Sequence, residues 1–407
     1  MKNTLKEVII SLTHRCNGNC RMCDIPDDAD TELPSSCWKQ VIKDAYILGA
    51  STVVFSGGEP FLRDDLFELI SYVKQNHMNA CVTTNGLLLD EKRARALYES
   101  GIDVVNVSLE GNDKVHEYLR GTGSFSKVTS ALAYLQHYKI ETTIATMVSR
   151  YNYKYLPEIV SYARKYDSTT IKFQPFNSLF LHDKTRNNDF FITHKEVPQL
   201  QKIIGKVIHA CDTQGISTNP VSYLEKIPGY LSGDSFRHRS MCMAPWQSCP
   251  IAPGGDVYLC WVLAQPDKTI GNVKEERLLD MWNSERHNAM RESLRQRGCR
   301  GCMMSCYDEV FGGDSVKRML TKKIEAMKNR RLKETLNKAV TRWRRRWKFY
   351  SSYQGTFSDF VKKIEMFLKK KISGRKTDIT VDDGLARTLS EIARARDSLQ
   401  RELKLLQ

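Results

Sequence analysis

Residues 7–24 read EVIISLTHRCNGNCRMCD, an apolar run that passes directly into a loop holding Cys16, Cys20 and Cys23. The run has strand composition, and comparable runs recur downstream. VIISL is followed by STVVFSG near Ser51, NACVTTNG near Asn79, DVVNVSLEG near Asp103, ETTIATMVS near Glu141 and TTIKFQPF near Thr169. Helical periods fill the intervals at Trp38 to Leu48, Leu66 to Lys74, Glu91 to Glu99, Phe125 to Tyr138 and Leu156 to Tyr166. A parallel connection needs a crossover of about a dozen residues or more, which these intervals supply. Six such units predict an α/β fold with a parallel sheet, either a partial barrel or a doubly wound sheet. In both, ligands sit at the carboxyl ends of the strands.

The chain has 407 residues, 41% of them hydrophobic, enough for an enzyme-sized core. It shows no secretory leader and no apolar run approaching the roughly 18 to 20 residues of a membrane span, so a cytoplasmic location is expected. In a reducing compartment, the close spacing among twelve cysteines points to metal or cluster ligation rather than disulfides. The net charge of +15 is local. Val316 to Lys376 holds 21 Lys and Arg against 4 Asp and Glu, a net of +17, and the remaining residues sum to −2. The strand-helix part is therefore close to neutral and carries no nucleic-acid signature of its own.

Cys16-x3-Cys20-x2-Cys23 places three thiolates on one loop. Thiolates are the usual ligands of iron-sulfur clusters, and four would complete the set. Three leave one iron open for a substrate or cofactor, with a zinc site or chance clustering as the alternatives. Single turn residues can account for each downstream motif taken alone. Their order is what carries information.

With those motifs in that order, the chain resembles the radical S-adenosylmethionine (SAM) enzymes and their CxxxCxxC signature. The resemblance implies a partial (β/α)6 TIM-type barrel. It also implies a 4Fe-4S cluster on Cys16, Cys20 and Cys23, the catalytic centre, with S-adenosylmethionine bound at the open iron. Gly57, Gly58, Glu59 and Pro60 resemble the GGEP motif, which receives the methionine amino group; bare glycines let a ligand approach the main chain. Thr84 and Asn85, and Ser108 with Glu110, match positions that contact the carboxylate and ribose. Arg120, in HEYLRGTGSF, matches an arginine that neutralises the cofactor carboxylate, and Asn152 is a weaker match. Met22 stands where an aromatic residue is usual and can still pack an adenine face. In the family, one electron splits the cofactor to a 5'-deoxyadenosyl radical that takes a substrate hydrogen. A donor such as flavodoxin or ferredoxin supplies the electron.

Met241 to Tyr307 contains six cysteines. Cys242-x12-Gly255-x4-Cys260, then Cys299-x2-Cys302-x3-Cys306, with GNVKEERLLDMWNS from Gly271, resembles the SPASM or twitch extension that carries auxiliary clusters. Cys242, Cys260, Cys299 and Cys302 would fill one cluster; Cys249 and Cys306 are substitutes or ligands to a second. A zinc knuckle is the alternative. Trp261 replaces the Asp of sulfatase-maturing relatives, which argues against that activity. Cys37, Cys81 and Cys211 fall in helix or strand patterns and read as small core residues. The chain starts 15 residues before Cys16, so a separate recognition protein is expected if the substrate is a peptide.

Beyond Gly312, Leu320, Ile324, Met327, Leu336, Val340, Trp343 and Trp347 recur at helical spacing amid RWRRRWK. Such a helix suits an anionic membrane surface, a nucleic-acid backbone or plain solvent. Leu385, Leu389, Ile392, Leu399, Leu403 and Leu406 form a short coiled-coil seam for a homodimer or a partner helix. The expected domains are 1–234 (barrel), 235–312 (auxiliary cluster) and 313–407 (basic helical extension). The expected activity is hydrogen abstraction from an unidentified substrate, with oxidation through the auxiliary cluster. Peptide maturation with a separate leader-binding partner, RNA modification, and a non-catalytic iron-sulfur protein are the alternatives.

Overall fold

The computed structural model describes residues 5–24, 32–178, 189–234, 242, 244–264, 268–297 and 302–304. Cys299, Cys306 and the whole basic extension, with its amphipathic and coiled-coil patterns, lie outside the described residues.

The elements alternate as the apolar runs predict: β1 (Glu7–Ser11), α1 (Ser35–Ile47), β2 (Thr52–Ser56), α2 (Leu66–Gln75), β3 (Asn79–Thr84), α3 (Glu91–Glu99) and β4 (Val104–Ser108). Then come α4 (Asp113–Arg120), α5 (Ser124–His137), β5 (Glu141–Val148), α6 (Leu156–Lys165), β6 (Thr170–Pro175) and α7 (Val197–Gln214). The pairs from β1 to β6 are all parallel and follow chain order without reversal. A doubly wound sheet would reverse its order at a switch point; the unbroken order is that of a partial (β/α)6 barrel.

Period-2 alternation gives the strands two different faces. Val8, Ile10, Val53, Phe55, Ala80, Val82, Val105, Val107, Ile144, Ile171 and Phe173 are fully buried, in one core with Trp38 and Ile42 of α1, Leu69 of α2 and Leu135 of α5. Each buried Val, Leu, Ile or Phe among them contributes about 1.5–3 kcal/mol of burial free energy. The opposite face carries Ser11, Ser56, Thr83, Asn106, Thr143, Lys172 and Gln174. Closed barrels fill that face with Val, Ile and Leu layers. Here it is polar.

The cysteine-rich segment continues the same sheet. β7 (Ser248–Ile251) pairs in parallel with β1, placing Val8 opposite Cys249, and β8 (Asp256–Tyr258) and β9 (Thr269–Asn272) extend it antiparallel. Arg277 clasps the buried Asp44 of α1 through Nε to Oδ2 at 2.9 Å, and the Leu33 N–H donates to Pro253 O at 3.1 Å. Gly255 lies at φ +97°, and a Cβ there would sit 2.5 Å from Asn272 Oδ1. Glycine is therefore required where this hairpin turns.

Candidate active site

The cluster loop follows β1 and is locked to the turn after β2. The Gly58 N–H donates to Thr13 O at 2.8 Å, and the Glu59 N–H to Arg15 O at 2.9 Å. A Cβ on Gly57 would lie 2.3 Å from Thr13 O, and one on Gly58 2.1 Å from Arg15 O. Both glycines thus allow two backbones to touch, and the space beside them belongs to the cluster loop. The far side of the loop is held by Glu32. It accepts from Arg15 Nε at 2.8 Å, Arg63 Nη1 at 3.0 Å and the Thr13 hydroxyl. Burial opposes that charge, but these donors outweigh it and hold the carboxyl down at about 2.

Among the described residues, no three Cys, His, Asp or Glu side chains close on a point the size of a single ion. The loop brings two of its sulfurs around Gly18: a Cβ there would stand 3.6 Å from both Cys16 Sγ and Cys20 Sγ. Three thiolates on one loop are the donor type of an iron-sulfur cluster. Burial raises the Cys16 pKa, opposed by the Gly18 N–H at 3.4 Å. Met22 is buried in the main core, 7% exposed.

Glu59 is fully buried, which raises its pKa to about 7 against the pull of three donors. These are Asn85 N at 2.8 Å, the Thr84 hydroxyl at 2.8 Å and Phe61 N at 3.2 Å. In this state Glu59 organises the turn after β3. Asn85 then reaches the cluster loop, donating through Nδ2 to Asn17 Oδ1 at 2.9 Å and lying 3.7 Å from Cys16 Sγ.

A second carboxylate stands beyond β4. Asn112 caps α4 by accepting from Val115 N at 3.2 Å. His116 and Arg120, four residues apart, share one face of that helix. Both hold Glu110: its N–H donates to His116 Nδ1 at 3.2 Å, and Arg120 donates to Oε1 from Nε at 2.8 Å and Nη2 at 2.6 Å. The Met147 N–H takes Oε2 at 2.8 Å, and Asn152 Nδ2 donates to Glu110 O at 3.0 Å. Burial raises the Glu110 pKa, opposed first by Arg120. Burial also works against the Arg120 charge, but Glu110 and the sulfurs of Cys20 and Cys23 outweigh it. Arg120 Nη1 lies 3.9 Å from Cys20 Sγ. Burial and Arg120 push His116 down to about 3, so it is neutral and can accept.

The structure therefore draws the site residues into two hydrogen-bonded sets joined by the cluster loop, Cys16 with Glu59, Thr84 and Asn85, and Cys20 with Glu110 and Arg120, with Ser108 at the end of β4. Sequence reading gave no role to His116 or Glu32. The helical spacing of His116 to Arg120 is the signal that could have found the first.

At the other cluster of cysteines, Cys242, Cys260 and Cys302 pack with Ala244 and Met304 in a small apolar group separate from the main core. Burial pushes Cys260 up to about 12, and the neighbouring Cys302 and Cys242 add to this. Tyr223 Oη ties that group to the barrel by donating to Met303 O at 2.6 Å. Cys249 lies in the main core instead, fully buried on β7. Cys211 is buried and Cys37 partly buried, whereas Cys81 faces the polar interior.

Residues 10–163 match the radical SAM superfamily and residues 242–307 the SPASM iron-sulfur cluster-binding domain. The chain belongs to the radical SAM superfamily and carries a SPASM domain. It therefore binds S-adenosylmethionine, a 4Fe-4S cluster and auxiliary iron-sulfur. It is 26% identical over 306 residues to the PqqA peptide cyclase of Gluconobacter oxydans, covering 72% of this chain and 82% of that protein. Identity is also 26% over 319 residues to the mycofactocin maturase MftC of Mycolicibacterium smegmatis, covering 76% and 78%. Fe-coproporphyrin III synthase of Methanosarcina barkeri is 34% identical over 158 residues, covering 37% and 39%. Streptococcus suis SuiB bound to S-adenosylmethionine shares the fold at TM-score 0.58 and 16% identity, over 71% of this chain and 68% of that one. Among the described residues, no helix is long and apolar enough to cross a membrane.

Proposed function

We propose that this radical SAM protein modifies a peptide, removing hydrogen from it and passing electrons to an auxiliary 4Fe-4S cluster. The assembly around Cys16, Glu59, Glu110 and Arg120 carries this reading, together with relatives named for peptide cyclisation and maturation that match over about three quarters of the chain. When bound, the cluster and S-adenosylmethionine supply a carbon radical, chemistry that no side chain provides.

The chain's own residues bind and orient. Cys16, Cys20 and Cys23 hold the first cluster on a loop braced by Glu32 from one side and by Gly57 and Gly58 from the other. Glu59, with Thr84, Asn85 and Pro60, shapes the pocket for the methionine end. Ser108 offers an acceptor to a ribose, and Arg120, paired with the buried Glu110, sets a positive charge beside Cys20. Cys242, Cys260, Cys299 and Cys302 hold the auxiliary cluster, Cys306 being the candidate for a further ligand. We assign residues 1–234 to the barrel, 235–312 to the auxiliary-cluster domain and 313–407 to a helical extension. A flavodoxin- or ferredoxin-type donor would deliver the electron.

The test is anaerobic reconstitution followed by reduction with S-adenosylmethionine. Roughly eight irons per chain and release of 5'-deoxyadenosine are expected, as is a peptide product lighter by two hydrogens. Stoichiometric zinc, or cofactor left intact, would overturn the reading.

A further inference from the structure

Next to the auxiliary-cluster cysteines the chain buries a cation among neutral groups. Arg291, on the helix Glu285–Arg297, is 2% exposed. Its Nε donates to Pro245 O at 2.7 Å, and its Nη1 to Asn283 Oδ1 at 2.8 Å and Asn288 Oδ1 at 3.1 Å. The guanidinium carbon lies 4.7 Å from the centre of the Trp282 ring. All of these partners are neutral, and Nη2 has no partner among the described residues.

Burial pulls Arg291 down to about 10, so it stays charged at neutral pH. His287, one turn earlier on the same helix face, is also fully buried, but burial and then Arg291 push it down to about 3 and leave it neutral. Arg291 is therefore the charge that this face presents. A buried ion is strongly disfavoured unless opposite charge lies close by. Thiolates around an iron-sulfur core supply such a charge.

Pro245, whose carbonyl Arg291 grips, follows Ala244, and Ala244 packs with Cys242, Cys260 and Cys302. One peptide unit spans ~3.8 Å, which puts the guanidinium on the order of 10 Å from those sulfurs. At that range, shielded from water, two unit charges interact by more than thermal energy. Net charge near a cluster is one of the terms that set its potential, and reduction adds one negative charge for a nearby cation to stabilise. Resting on the auxiliary cluster of the reading above, we propose that Arg291 is its counter-charge and raises its reduction potential, favouring uptake of electrons there.

The full chain carrying Cys16→Ala, Cys20→Ala and Cys23→Ala leaves the auxiliary cluster as the source of the paramagnetic signal. After anaerobic reconstitution, its midpoint potential is read by a redox titration followed by electron paramagnetic resonance. In that background Arg291→Met and Arg291→Gln should each lower the reduced-to-oxidised ratio at the parent midpoint by about tenfold, about 59 mV for one electron. Arg291→Lys keeps the charge and should stay within about twofold of the parent ratio, given that tenfold is 59 mV. Arg295→Met, on the exposed side of the same helix where Arg295 pairs with Glu292, should leave the ratio unchanged. An unmoved or raised potential in both neutral variants, a Lys variant shifted as far as they are, or auxiliary iron lost from both neutral variants overturns the proposal. A parent protein that assembles no auxiliary cluster overturns the reading beneath it and the proposal together, an outcome told apart by its iron count.

Discussion

Arg120 holds Glu110 through two guanidinium nitrogens on one carboxylate oxygen, at 2.8 and 2.6 Å, and turns its third nitrogen to within 3.9 Å of the Cys20 sulfur. The pair joins the end of β4 to the cluster loop. Its geometry makes the two charges interdependent, because the Glu110 side chain is closed to solvent and that of Arg120 is 17% exposed.

Removing one partner of such a pair leaves a buried charge uncompensated. Arg120→Gln should therefore destabilise the iron-free protein by about 3–5 kcal/mol. Arg120→Gln combined with Glu110→Gln should recover more than half of that loss. Urea unfolding of the two single variants and the double variant gives the coupling directly. A coupling energy under about 1 kcal/mol would show that the pair is not the element holding this junction.

Gly58→Ala tests the contact between the two backbones. Its Cβ would lie 2.1 Å from a main-chain oxygen of the cluster loop, and that atom cannot swing aside as a side chain would. The variant should keep the helical circular-dichroism signal of the barrel and lose at least half of the first cluster's iron. Gly205 in α7 is the internal comparison, since a Cβ there meets nothing within 4 Å. Gly205→Ala should leave iron unchanged and add about 0.5–1 kcal/mol to stability.

The two glycines also show where sequence reading ends. The order of strands, the first three cysteines and the positions of Glu59, Glu110 and Arg120 are legible because each depends on local pattern or short spacing. The pairing of β7 with β1 joins segments some 240 residues apart and needs a register that no local period contains. The glycines also admit the Thr13 and Arg15 carbonyls, a tertiary contact that no local pattern contains. Cys81, with the apolar pattern of a core residue, faces the interior because period 2 fixes which face it shares without saying what fills that face.

Glu59 gives a pH dependence. Folded, it titrates at about 7, above the 4.5 of a free glutamate. Between those values the folded state holds a proton that the unfolded chain has released. The stability from this group is thus complete below 4.5 and falls as pH rises to about 7, by at most about 1.4 kcal/mol per pH unit. Glu59→Gln has no such titration, so the stability of wild type minus variant should decline as pH rises through this window. Urea unfolding of both proteins across the window measures it, and a constant difference would mean that the three donors keep Glu59 ionised throughout.

Cys249 and Cys260 should separate cleanly. Both are buried thiols with raised pKa values, but Cys260 packs with Cys242 and Cys302, whereas Cys249 packs in the main core opposite Val8. Cys260→Ala should lose roughly four irons, one 4Fe-4S cluster, with the first cluster's absorbance intact. Cys249→Ala should retain all of its iron and lose only packing, about 1 kcal/mol for a small cavity. Iron and sulfide counts on anaerobically reconstituted variants decide between the two positions. Iron loss in Cys249→Ala equal to that in Cys260→Ala would make Cys249 a ligand and would require β7 to move away from β1 when the cluster is bound.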